Sequence, residues 1–237
     1  SPLTSQYPEM TQEEAYAIQR SVMASRRAAG ARLVGWKVGL TSKAMQQMFQ
    51  VDSPDFGQLL DNMVLEDGAT ISNNVLLQPR IEPEIAFILK RDIKGPGVSA
   101  GDVLAATEAV TPALEIIDSR IADWKIRLAD TIADNASCGR IVLGKSRISP
   151  DKLDLRLVGL VFSRDGEVVS TAAGAAVLGH PANAVAWLAN TLGSLGETLA
   201  AGHVIMPGSL VGAVNADPGS RYTAEYDHLG SVTVNVA

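Results

Sequence analysis

Apolar positions recur at helical spacing near the start of the chain and in short alternating or continuous runs further on. Thr11-Gln12-Glu13-Glu14 has the form of a capping box, in which the Thr11 hydroxyl and the Glu14 carboxylate each satisfy a free backbone donor. Ala15, Ile18 and Val22 follow as one helical face, and Gly30 offers the stop. A second short helix is expected from Ser42, with Met45, Met48 and Phe49 turned inward. Residues 1–60 therefore read as mainly helical.

From about residue 70 the pattern changes to strands. Ile85 to Leu89, Ala113 to Ile117 and Ile141 to Leu143 are short apolar runs. Val158 to Phe162 and Glu167 to Thr171 flank Asp165-Gly166, a pair that tolerates the positive φ values of a tight hairpin turn. Pro181 to Leu195 reads as a helix with Pro in its first turn and Val185, Leu188, Leu192 and Leu195 inward. Two closing strands, 221–226 and 231–236, are joined through His228-Leu229-Gly230. Helices followed by mostly strands with helical insertions make an α+β protein rather than a doubly wound sheet. No repeat, low-complexity tract or linker divides the 237 residues, so a single catalytic domain is expected, its β-rich core spanning 70–237.

Composition narrows the function. A net charge of −6 argues against nucleic acid as a partner, because phosphate binding needs a basic surface. No apolar run approaches the roughly 20 residues needed to span a bilayer, so no membrane is expected. The single cysteine, Cys138, excludes an internal disulfide and fits a reducing compartment, which makes the cytoplasm the expected location. The chain opens at Ser1 rather than Met, which reads as a trimmed or incomplete beginning and leaves an original targeting segment open.

The candidate chemistry centres on carboxylates. In Arg80-Ile81-Glu82-Pro83-Glu84-Ile85-Ala86-Phe87, an extended strand puts Glu82 and Glu84 on one face, roughly 6.6 Å apart along the backbone. Pro83 marks a strand start or an edge, since it cannot donate to a ladder. Glu115 lies inside the apolar run Pro112 to Ile117. Three carboxylates with no Cys or His pattern suit a hard cation such as Mg²⁺ or Mn²⁺. The spacing alone equally allows a solvated strand face for Glu82 and Glu84, and a buried ion pair for Glu115.

Other segments admit two readings as well. Lys37, in Gly35-Trp36-Lys37-Val38-Gly39, is either a buried acid, base or electrostatic clamp, or a lysine that snorkels to solvent. Asp55, in Pro54-Asp55-Phe56-Gly57, is either functional or a turn residue that bonds the backbone. The Asp134-to-Gly139 loop either cradles a carboxylate with its amides and the Ser137 hydroxyl, or is an ordinary turn. His180, His203 and His228 show no ligand spacing, and His180 reads as structural. Cys138 reads as a buried thiol. The absence of G-x-S-x-G, P-loop and G-x-G-x-x-G motifs weighs against triad hydrolases and nucleotide enzymes.

Together these segments resemble the 2-hydroxypentadienoate (2-keto-4-pentenoate) hydratase family of the fumarylacetoacetase superfamily. The resemblance is carried by GWKVGLTS at 35–42, VDSPDFG at 51–57, QPRIEPEIAF at 78–87, PALEIIDSRIADWKI at 112–126, DTIADNASCG at 130–139 and LGHPANAVAWLAN at 178–190. It implies a mixed β-roll or barrel-like core with the N-terminal helices packed outside. It also implies Glu82, Glu84 and Glu115 as ligands of Mg²⁺ or Mn²⁺, Lys37 and Asp55 as the acid–base pair, and Ser137 as a holder of the substrate carboxylate. The implied reaction is addition of water to a 2-hydroxy-2,4-dienoate, such as 2-hydroxypenta-2,4-dienoate, in meta-cleavage degradation of aromatic compounds. A homo-oligomer and a downstream aldolase are the implied protein partners. Members of the family usually carry about one more helix before the point where this chain begins.

There are three rival readings, two of them within the superfamily and one of a different class. A 2-oxo-3-enedioate (4-oxalocrotonate-type) decarboxylase has the same metal site, but tends to carry an aromatic, nonpolar variant where this chain has Asp55. A C–C hydrolase needs a water-activating His-Glu pair that no histidine here is placed to supply. A catalytically silent partner subunit is free to lose its ligands, whereas this chain keeps all three glutamates.

Overall fold

The computed structural model describes residues 1–42, 46–47, 50–72 and 74–237. Helix α1 (Gln12–Ala28) begins with the expected capping box: Glu14 N donates to Thr11 Oγ1 at 3.2 Å and Thr11 N donates to Glu14 Oε2 at 2.8 Å. Its inward face differs from the expected one. Ala15, Gln19 and Met23 are buried, whereas Ile18 and Val22 are 36% and 44% exposed. The polar Gln19 belongs inside because its amide donates to both Phe56 O and Ile132 O, each at 2.9 Å, tying the helix to two later segments.

Among the described residues, the helical character expected for 1–60 is found in α1, the short 3-10 turn Leu3–Ser5 and residues 46–47. Strands β1 (Leu33–Gly39) and β2 (Asp55–Leu60) follow instead, and pair antiparallel. Their stretches are buried on both faces, so they lack the alternation that announces a half-buried strand. Met45, Met48 and Phe49, expected on a second helix, lie outside the described residues.

The remaining elements are β3 (Val64–Glu66), β4 (Thr70–Ile71), β5 (Arg80–Leu89), α2 (Ala100–Ala106), β6 (Thr107–Ile117), α3 (Leu128–Ala133), β7 (Cys138–Leu143), β8 (Gly159–Arg164), β9 (Glu167–Ala173), α4 (Pro181–Ser194), β10 (Val204–Met206), β11 (Val214–Asn215), β12 (Arg221–Tyr226) and β13 (Gly230–Val236). Asp165 and Gly166 turn the β8–β9 hairpin with φ of 53° and 86°, as their sequence requires. Helix α4 starts at Pro181 with His180 as its cap, and Leu195 falls beyond its end, 52% exposed rather than inward.

A curled mixed sheet runs in the order β2-β1-β10-β5-β6-β7-β3, with β11 also on β5, and a second sheet runs β4-β13-β12-β8-β9. Ile81, Ile85, Phe87, Leu114 and Ile116 of the first sheet pack with Phe162, Tyr222 and Val234 of the second and with Val185 and Leu188 of α4. Alternation along each strand sends Ala86, Ala113, Ile141 and Met206 to the opposite face, where they belong to a second apolar cluster that includes Met23 of α1. This is the α+β, half-barrel core with helices outside that the sequence led one to expect. Among the described residues no helix is long and apolar enough to cross a membrane.

Pro83 lies inside β5 yet at a local edge. Strand β10 pairs with Phe87 and Ile88, β11 pairs with Arg80 and Ile81, and the gap between them is filled by a loop whose Leu210 N donates to Pro83 O at 3.1 Å. The proline thus lacks a donor only where no strand asks for one.

The N-terminal turn is held to α3 by Asp130, whose buried carboxylate accepts from Thr4 N (2.9 Å), Thr4 Oγ1 (2.7 Å) and Arg127 N (2.9 Å). Burial raises its pKa, but these donors together outweigh burial and set it below 3.8. A carboxylate with a depressed folded pKa stabilises fully above its unfolded value and loses that contribution as pH falls through the folded one. Asp130→Asn should therefore cost about 1–3 kcal/mol at pH 7 and much less near pH 2, measured by urea denaturation. An equal loss at both pH values would contradict this account.

Candidate active site

The register of β5 and β6 builds the centre of the site. Glu82 lies directly opposite Glu115, and Glu84, two residues along the same strand, points to the same face. One oxygen of each of the three carboxylates lies within 4.8 Å of the others. Glu84 and Glu115 are fully buried and Glu82 half-buried. The solvated-face reading of Glu82 and Glu84 is thereby excluded.

Strand β10 separates β5 from β1 and places Lys37 beside Met206 on the same face. Lys37 is buried, so the snorkelling reading fails too. Its ammonium donates to Ala136 O at 3.0 Å and approaches Glu115 Oε1 to 3.5 Å, an ion-pair distance too long for a strong hydrogen bond. Asp55 opens β2 opposite Gly39 and is buried. A Cβ at Gly39 would come within 2.2 Å of Asp55 Oδ1 and 3.3 Å of Lys37 Nζ. The missing side chain there is what lets Asp55 lean over the strand towards Lys37.

The 134–139 loop contributes backbone. Asn135, Ala136 and Ser137 have φ of 56°, 49° and 54°, a left-handed turn of three non-glycine residues. The Asn135 amide imitates a strand, accepting from Gln58 N at 2.8 Å and donating to Gln58 O at 2.9 Å. Ser137 is buried with its hydroxyl 3.0 Å from Thr131 Oγ1. It adjoins Ala136, which carries Lys37, but its hydroxyl already has a partner inside the protein. On the other side, Gly208 N donates to Glu84 Oε2 at 2.7 Å, with φ of 113° and no room for a Cβ against Thr41 Oγ1. Tyr226 donates to the Glu84 carbonyl at 2.8 Å.

Burial sets the electrostatics. It raises Glu84 well above its ordinary value, reinforced by Glu115 and Glu82, and it raises Glu115 against the opposing charge of Lys37. Glu82 is pushed up to about 7 by burial and by Glu115. For Lys37 burial acts downward, but Glu115, Asp55 and Glu82 together overcome it and hold the ammonium charged. Asp55 is raised by burial, which Lys37 and the amides of Asp55 and Gly39 oppose. Cys138 is the buried thiol expected, but its thiol also adjoins Glu115, whose charge adds to burial in raising it.

Both oxygens of Glu115, Glu84 Oε1 and Asp55 Oδ1 are buried without a hydrogen-bond donor among the described residues. Buried polar atoms are nearly always paired, so the unpaired oxygens of Glu84 and Glu115, converging with Glu82, fit a hard divalent cation. Arg80 opens β5 on the Glu82 face and stacks 4.5 Å from the Trp124 ring centre. Beside it lies a cavity of about 330 Å³ lined also by Gln78 and Asn215. His180 caps α4, its Nδ1 accepting from Ala182 N at 3.0 Å, which is the structural role expected of it.

The fumarylacetoacetate (FAA) hydrolase C-terminal family profile matches residues 32–237. The chain is 50% identical to a 2-hydroxyhexa-2,4-dienoate hydratase of Comamonas testosteroni, over 99% of this chain and 89% of that protein. It is 49% identical to a 2-keto-4-pentenoate hydratase of Paraburkholderia xenovorans (strain LB400), over 98% and 86%. Among solved structures, 4-oxalocrotonate decarboxylase from Pseudomonas putida G7, complexed with magnesium and adipate, superposes with a TM-score of 0.97 at 41% identity, covering 100% of this chain and 90% of that one.

The close packing at Gly39 generates a prediction. Gly39→Ala should displace the Asp55 carboxylate from Lys37 and cost about 1–3 kcal/mol of stability, as overpacking does. A crystal structure and urea denaturation of the variant check both, and an unmoved carboxylate would contradict the geometry.

Proposed function

The chain belongs to the FAA hydrolase C-terminal family, and from that premise we propose that it is a metal-dependent hydratase of 2-hydroxy-2,4-dienoates. The observation that carries the reading is the convergence of Glu82, Glu84 and Glu115 beside the buried side chains of Lys37 and Asp55. The three glutamates would hold Mg²⁺ or Mn²⁺. A divalent cation there would supply Lewis acidity, stabilising negative charge that develops on the substrate.

The reaction converts 2-hydroxypenta-2,4-dienoate to 4-hydroxy-2-oxopentanoate in two proton-balanced stages. The 2-hydroxyl loses its proton and the far end of the diene, C5, gains one, leaving a 2-keto-3-enoate. Water then adds its oxygen at C4, while C3 takes a proton. Lys37, charged and pinned by Ala136 O, stabilises negative charge on the 2-oxygen. Asp55, with one oxygen unbonded and a raised pKa, accepts the proton from water. Ser137 completes the site at the substrate carboxylate through whichever orientation of the Ser137–Thr131 pair leaves its proton outward.

A decarboxylase needs the same enolate stabilisation but no water activation. Asp55 therefore favours hydration, as do the hydratase names of the relatives near 50% identity. The same reading includes self-association of the chain and an aldolase that consumes the 4-hydroxy-2-keto acid.

Glu115→Gln should weaken Mn²⁺ binding by about 10-fold or more in calorimetry, because one carboxylate donor is lost. Unchanged affinity would remove Glu115 from the ligand set. Asp55→Asn should retain Mn²⁺ affinity and lower hydration by about 10²–10⁴-fold. The 2-keto-3-enoate should then accumulate, visible by ultraviolet absorbance and NMR. Hydration at the original rate would take Asp55 out of the chemistry.

A further inference from the structure

Arg120 follows Glu115 by five residues and forms no ion pair with any of the three glutamates among the described residues, yet it closes the loop whose Ala136 carbonyl accepts from Lys37. Its backbone N donates to Asp134 Oδ2 at 2.9 Å and its Nε to Asp134 Oδ1 at 2.6 Å. Nη1 donates to Asp118 O at 2.5 Å and to Cys138 O at 3.0 Å, and Nη2 donates to Asp134 O. One guanidinium thus spans both ends of the segment 134–138.

Between those ends lie Asn135, Ala136 and Ser137, all left-handed. Such a turn relaxes unless its surroundings hold it, because each residue alone prefers negative φ. Its carbonyl at Ala136 is the hydrogen-bond acceptor of the Lys37 ammonium, and its Asn135 amide grips Gln58 on the strand that begins with Asp55. The clamp is also tied to the metal strand, since Asp118 accepts from Leu77 N and Gln78 N just before β5.

We propose that Arg120 is a positioning residue: by bridging Asp118, Asp134 and Cys138 it holds the left-handed Asn135–Ala136–Ser137 turn, and through it sets the place of Lys37 against the substrate. The part concerning rate rests on the hydratase reading above. The part concerning the turn does not.

The test compares Arg120→Ala and Arg120→Lys with the original chain. Hydrogen exchange by mass spectrometry should show faster exchange over 134–138 in both variants and unchanged exchange in the β12–β13 hairpin. Mn²⁺ affinity should stay within about 3-fold, since no glutamate is touched. Turnover of 2-hydroxypenta-2,4-dienoate should fall about 10²-fold in kcat, the scale of an ångström-sized misplacement of a catalytic group. Low-millimolar guanidinium, but not ammonium, should restore part of both protection and kcat to Arg120→Ala. Lysine keeps the charge but cannot reach all the carbonyls. Full activity in Arg120→Lys would overturn the proposal, because charge alone would then suffice. Original protection over 134–138 in both variants would overturn it also, as would a loss of Mn²⁺ affinity in step with kcat. If Arg120→Ala fails to fold, Arg120→Lys decides through the same exchange and affinity measurements. Should the original chain not turn over the dienoate, the hydratase reading fails while the exchange data still decide the clamp.

Discussion

Three carboxylates brought together in a buried place with too few partners are the constraint around which the molecule is arranged. A buried charge is tolerated when it is paired or coordinates a metal. Here the pairing falls short: one ammonium, Lys37, faces Glu115 at 3.5 Å, and one amide, Gly208 N–H, serves Glu84. The deficit is what suits the place to a cation. The surrounding sheet supplies the rigidity, since Glu82 and Glu115 face each other across a continuous β5–β6 ladder rather than from loops.

The neighbouring backbone does work that side chains do not. Ala136 supplies a carbonyl to Lys37, while the amide of Gly208 serves Glu84. Both come from unusual conformations, the left-handed turn at 135–137 and the φ of 113° at Gly208. A left-handed residue costs roughly 1–2 kcal/mol. The protein holds three in a row through the Arg120 and Asn135 contacts, which spend stability to place one carbonyl.

The sequence made the carboxylates legible but not their relation. Glu82 and Glu84 share a face by simple alternation, whereas the opposition of Glu115 depends on the β5–β6 register, which spacing does not determine. Strands β1 and β2 were hidden because both faces are buried, so no element is predicted for Lys37, and Asp55 admits a turn reading. Helix α1 was legible in its cap but not in its facing, because a buried glutamine took the place of an apolar residue. Ala136 and Gly208 act through backbone atoms, which any residue type supplies, so composition and motif carry no trace of them. The family resemblance named Lys37, Asp55 and Ser137 together, and the fold does bring the first two side by side with the glutamates. The Ser137 hydroxyl lies 3.0 Å from Thr131 Oγ1, a contact that leaves its own proton free when Thr131 is the donor.

The central claim is that a cation held by these glutamates, with Lys37 and Asp55 beside it, makes this chain a hydratase. The most direct measurement is NMR identification of the product formed from 2-hydroxypenta-2,4-dienoate by the purified protein, first stripped of metal and then given Mg²⁺. The account predicts 4-hydroxy-2-oxopentanoate only after Mg²⁺ is restored. Equal hydration by demonstrably metal-free protein, or no turnover of the dienoate with Mg²⁺ present, would contradict it.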